Sequence, residues 1–117
     1  MKEIRSKEEL KKSLDAGEKH FIVTDKKLLK ALAVRYWMQN NKVKGGLLLA
    51  ALPAAIAVGG AAAPVIGIVG AGLVVGGVTI SAAEIIIVGV IIIALTAVLR
   101  GQQIDSIDMK DGKIHFK

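Results

Sequence analysis

Glu84 is the residue whose type and position most invite chemistry. It is the only ionisable side chain in 55 consecutive residues, 45–99. A carboxylate isolated in an apolar stretch is a candidate proton or cation site when the stretch lies in a membrane. The local sequence offers a second role. Ser81-Ala82-Ala83-Glu84 has the S-x-x-E spacing of a capping box, in which serine and glutamate satisfy free backbone donors at a helix start. Glu84 lies 15 residues before Leu99, about 22 Å along a helix. That places it near one end of a span, where capping is the stronger reading and an ion site the weaker. His20 and His115 are the only histidines, and two ligands without a third do not make a metal site, so both are expected on strand surfaces. The chain has no cysteine, which excludes disulfides, thiolate metal sites and cysteine nucleophiles. Ser81 and Thr96 are hydroxyls within the apolar run, and no nucleophile–base pair is evident. The expectation is therefore no enzyme, no cofactor and no bound metal.

Glycine spacing supplies the other candidate motifs. Pro64 to Gly77 reads PVIGIVGAGLVVGG, with Gly70-x-Gly72 after an apolar stretch. The third position of a dinucleotide fingerprint is Val75 here, and the chain is too short for the doubly wound sheet that fingerprint serves. Small residues recur at every fourth position through Ala51, Ala55, Gly59, Ala63, Gly67 and Ala71, and Gly72 and Gly76 form G-x-x-x-G. Such faces let helix backbones approach closely in lipid, which predicts self-association into a homo-oligomer.

These residues need elements to position them. A run of about 18 apolar residues already suggests a membrane span, and 45–99 is three times that length. Two crossings of about 20 residues each leave roughly 15 for a connection. The second crossing is predicted as one helix over 82–99, opened at Ser81 and stopped at Arg100-Gly101. The first holds Pro53, Pro64 and the loop-like stretch 59–63, and is predicted as a kinked helix or two short ones. The Gly-rich pair with one carboxylate resembles, in composition, the proteolipid subunits of rotary ATPase rings. It also resembles the hydrophobic hairpin of pore-forming colicins.

The flanks, 1–44 and 100–117, read as halves of one small α/β domain. Residues 2–5 suit a strand, Ser6 to Glu9 form a capping box for a helix ended by Gly17, and 20–24 suit a second strand. Asp25 is placed to cap a helix over 26–40, whose residues Leu28, Leu29, Leu32, Ala33, Tyr36 and Trp37 make one apolar stripe. Lys26, Lys27, Lys30 and Arg35 lie mostly off it. The stripe either covers the small sheet or lies in a membrane interface, with Tyr36, Trp37 and Arg100 as further interfacial residues. Asp111-Gly112 predicts a two-residue hairpin turn pairing Met109 with Ile114 and Ile107 with Phe116, and setting Asp108 against His115. Pairing both flanks into one mixed four-stranded sheet requires an even number of crossings.

Charge completes the expectation. Residues 1–44 carry 12 Lys and Arg against 6 Asp and Glu, and the chain carries net +6. Basic flanks mark the cytoplasmic side of a span, and no nucleic-acid motif accompanies them. The sequence thus predicts an integral membrane protein with both termini cytoplasmic. It would be a transmembrane helical hairpin that self-associates and displays an α/β mini-domain able to dock a cytoplasmic protein partner. A pore-forming toxin, effector or channel is the alternative.

Overall fold

Local side-chain capping sets the starts of the two N-terminal helices in the computed structural model, which describes residues 1–59 and 61–117. After strand β1 (Lys2–Ile4), the Ser6 hydroxyl accepts from Glu9 N and opens α1 (Lys7–Asp15). After β2 (His20–Val23), the Asp25 carboxylate accepts from Leu28 N and opens α2 (Lys26–Asn40). Three short elements at the far end complete a sheet with these: β5 (Ile104–Asp108), a loop, and β6 (Lys113–Phe116). The sheet order is β1-β2-β6-β5, with β1 parallel to β2 and the other neighbours antiparallel. Sequence-distant flanks therefore meet directly, Phe21 opposite Ile114 and the Phe21 and Phe116 rings edge to face at 5.9 Å.

The apolar run between them is not a membrane hairpin. It folds as α3 (Lys42–Ala57), α4 (Ala63–Val69), a two-stranded sheet of β3 (Gly72–Val75) and β4 (Val78–Ser81), α5 (Ala82–Ile87) and α6 (Gly89–Leu99). The longest of these helices has 16 residues, and no helix among the described residues is long and apolar enough to cross a membrane. The expected span over 82–99 breaks at Val88 between α5 and α6. There Gly89 is buried against Leu52 and Ile56 of α3, and a Cβ at Gly89 would sit 2.9 Å from Ile56 Cδ1. The expected first crossing ends where Gly59 takes a left-handed φ of 79°. The expected connection is a β-hairpin, turned by Gly76 and Gly77 at φ 56° and 77°, the positive values a tight two-residue turn requires. The integral membrane assignment, its topology with both termini cytoplasmic, and the pore-forming alternative all rested on those spans and fall with them.

The run instead supplies much of the core. Helix α2 packs against β2 and β5 of the four-stranded sheet and against α3, α5, α6 and β3 of the run. Leu48, Leu52, Ile80, Ile85, Ile92 and Leu95 are fully buried in one cluster with Leu10, Phe21, Leu32 and Phe116. Burying each such side chain stabilises the fold by about 1.5–3 kcal/mol. The radius of gyration is 13.4 Å, about the value expected for one compact chain of this length. At the α2–α3 corner, a Cβ on Gly45 would meet the Met38 carbonyl at 2.7 Å, so only glycine lets the two helices meet this closely.

The C-terminal hairpin differs in register from the sequence expectation. Its loop is 109–112, with Asp108 opposite Lys113 and Ile107 opposite Ile114. The reason is the Asp108 carboxylate, which accepts from Lys110 N and Asp111 N and so widens the turn. An irregularity between Ile104 and Ser106 then shifts the register by one more residue and sets Ile104, not Ile107, opposite Phe116. His115 meets Asp105, Nδ1 to Oδ2 at 3.3 Å, and not Asp108.

Two neighbours on α6 test this core. Ile92 is 0% exposed and Val90 63%. In chemical denaturation, Ile92→Ala should cost about 2–5 kcal/mol, and Val90→Ala less than about 0.5 kcal/mol.

Candidate interaction surface

Helix α3 has two faces of the same chemistry and opposite exposure. Gly45, Leu48, Leu52 and Ala55 face the core and are buried. Val43, Leu47, Ala50, Ala54 and Ala57 recur at intervals of three and four, so they share the opposite face. All five are exposed, Val43 by 80% and Leu47 by 56%, and Val58 just past the helix by 68%. Ile66 on α4, Val74 on β3, and Ile87 and Val90 around the α5–α6 break are exposed too. Polar side chains normally take such positions on a surface helix, whereas here the exposed face of α3 is apolar through its whole middle. Lys42 and Lys44 lie only at its N-terminal end.

The small residues expected to form helix-association faces are distributed over several elements. Ala55 faces the core from α3, and Gly59 lies in the turn after it. Ala63 and Gly67 are exposed on α4, and Ala71 precedes β3. Gly72 lies within the β3–β4 ladder, where a Cβ would meet Ile80 O at 2.5 Å. Gly76 turns the hairpin beside Met109. They therefore share no single helix face. The exposed stripe is offset from that ladder, and its signal was the period of Val43, Leu47, Ala50 and Ala54 within α3.

Glu84 is a cap with an added partner. The Ser81 hydroxyl accepts from Glu84 N and the Glu84 carboxylate accepts from Ser81 N, completing the capping box. Its other oxygen lies 2.6 Å from Lys30 Nζ. That hydrogen bond first, and the Ser81 amide second, hold the carboxyl below its ordinary value of 4.5. Of the other residues expected at a membrane interface, Lys26 and Lys27 are exposed at the start of α2, and Tyr36 and Trp37 pack partly buried against the core. Arg35 is half-buried with its guanidinium 3.3 Å from Thr96 Oγ1, and Arg100 pairs with Asp15 at 3.6 Å. His20 and His115 stack on adjacent strands with ring centroids 4.0 Å apart. Among the described residues, no group of three or more His, Asp or Glu is placed to hold a metal ion. The chain matches no protein-family model, no curated protein and no solved structure.

A lowered carboxylate pKa gives a pH dependence of fixed sign. The Glu84 contribution is fully present above the ordinary value of 4.5 and is lost as pH falls through its lower folded value. In urea titrations from pH 7 down to pH 3, the stability gap between wild type and Glu84→Gln should be at most about 1 kcal/mol, because the pair is partly solvated, and should close in the acid range. Ser81→Ala should cost about 1 kcal/mol at pH 7 through loss of the cap.

Proposed function

We propose that this chain is an interaction module, not an enzyme, and that it pairs with a second copy of itself through the exposed face of α3. The observation that carries this is the uncharged apolar stripe Val43, Leu47, Ala50, Ala54 and Ala57 on a helix whose other face is already buried. Monomeric proteins rarely leave a large contiguous apolar patch in water. A face without charge offers no complementary contact to a charged partner, and is complementary to itself.

Charge also selects the arrangement. Lys42 and Lys44 stand at one end of the stripe, and no acidic residue stands on α3. Parallel pairing would bring four lysines together. A two-fold axis crossing the helix at Ala50 sets them at opposite ends of a contact about 24 Å long and pairs Val43 with Ala57. Small residues at 50, 54 and 57 allow the helices to approach closely. A single helix face is narrower than the roughly 800 Å² per partner of a standard interface, so the dimer should be of moderate affinity.

Sedimentation velocity across a concentration series should show a monomer–dimer equilibrium that Leu47→Glu abolishes. The chain has no cysteine of its own, so single cysteines report orientation cleanly. Ala50→Cys should cross-link with itself, and Val43→Cys should cross-link with Ala57→Cys but not with itself. Self-cross-linking of Val43→Cys would overturn the antiparallel arrangement. A chain that stays monomeric at all concentrations, whether or not it sediments with anionic vesicles, would overturn the pairing altogether.

A further inference from the structure

A cleft of about 300 Å³ opens where the α2–α3 corner meets the end of α6. Its charged lining is Arg35 and Lys42, and no acidic residue lines it. Among the described residues, neither cation has a carboxylate partner: the only side-chain bond of Arg35 is to Thr96 Oγ1, and Lys42 has none. Arg35 is half-buried at the cleft, and that burial pushes its guanidinium below its ordinary value. A partly desolvated cation without a counter-charge carries a cost that an approaching anion relieves.

The neutral polar lining is biased in the same sense. The amide oxygen of Gln102 accepts from Lys19 Nζ, and that of Gln103 from Lys117 Nζ. Both glutamines have their amide NH₂ groups left to donate. Gln39 is consumed structurally, since it donates to Ile104 O at 2.6 Å and accepts from Ile104 N at 2.9 Å. The cleft therefore offers donors and positive charge and no free side-chain carboxylate. Met38, Leu49 and Leu99 supply apolar lining beside them.

We propose that this cleft binds a small organic anion, with an oxyanion head held by Arg35 and Lys42 and a short apolar body against Met38, Leu49 and Leu99. Arginine meets a carboxylate or a phosphate with two parallel hydrogen bonds, which makes it the orienting residue. Lysine adds a mobile charge at the mouth. The volume is at the low end for small-molecule sites, so the body is short. Lys42 and Leu49 lie about a third of a turn around α3 from Val43, so the cleft opens beside the proposed dimer face and Lys42 borders both.

The test is titration of the full-length chain with hexanoate, hexyl phosphate and hexyltrimethylammonium, followed by backbone amide shifts at Gly45, Gly46 and Gly101. Saturable shifts with either anion, and none with the cation, are expected. The stronger of the two anions identifies the head as carboxylate or phosphate. Arg35→Met keeps the apolar stem, and should weaken anion binding by about tenfold to a hundredfold. Lys42→Met, at an exposed site that does not bear on folding, should weaken it less and reduce its salt dependence. Equal response to the cationic probe, no response to either anion at millimolar concentration, or affinity unchanged in both variants would overturn the proposal.

Discussion

Burial of the middle of α2 on nearly every side is the constraint on which the rest of the structure depends. Leu28, Leu29, Ala31, Leu32, Ala33 and Val34 are all buried, and they point all the way around the helix. A helix apolar on one stripe needs one covering layer, and a helix buried all round needs more. The four-stranded sheet is one layer. Nothing else in the flanks is large enough to be the second, so the run 45–99 must wrap back over α2. That requirement explains why its segments are short. A continuous spanning helix would pass α2 once and leave it, whereas α3, α5, α6 and β3 each contact it in turn.

Small residues acquire a different purpose in this arrangement. Gly45 allows α3 to turn immediately on Met38, and Gly89 allows α6 to lie against Leu52 and Ile56. Both are close approaches inside one chain. The single charge of the run serves the same end, since Glu84 caps α5 and reaches Lys30 on α2. This ties the run to the basic helix at its surface, while the apolar contacts beneath supply the larger share of the energy.

Signals that depend on adjacent residues were legible in the sequence. The starts at Ser6, Asp25 and Ser81 are all hydrogen bonds between a side chain and a backbone three residues on, and they stand where the spacing put them. Strands β1, β2, β5 and β6 coincide with short alternating segments. The Gly76-Gly77 hairpin was equally local, but its strands read Leu73-Val74-Val75 and Val78-Thr79-Ile80, where Thr79 is the sole polar outward position. Without alternation, the run's apolar length dominated and suggested spans. Two features were not legible because they join distant segments: Gly89, beside the Val88 break, packs on Ile56, and the cleft forms where 35–49 meets 99–103. The turn register is local, but it is set by the Asp108 carboxylate on Lys110 N and Asp111 N, ahead of the Asp-Gly pair that signalled the turn. Of the expected interfacial residues, Arg35 belongs to that cleft, and its charge alone did not reveal the site.

The central claim is that the apolar run packs back onto the flanks. Its most direct test is the distance between Gly76 and Met109. Here the β3–β4 turn touches the C-terminal hairpin, and a Cβ on Gly76 would lie 3.2 Å from Met109 Cγ. In a membrane hairpin the same turn would stand across roughly 30 Å of hydrocarbon from residue 109. Nuclear Overhauser contacts between the Gly76 α protons and the Met109 side chain should be strong in the full-length chain. Absence of that contact, together with a spin label at Met109→Cys that leaves the Gly76 amide unbroadened, would contradict the account.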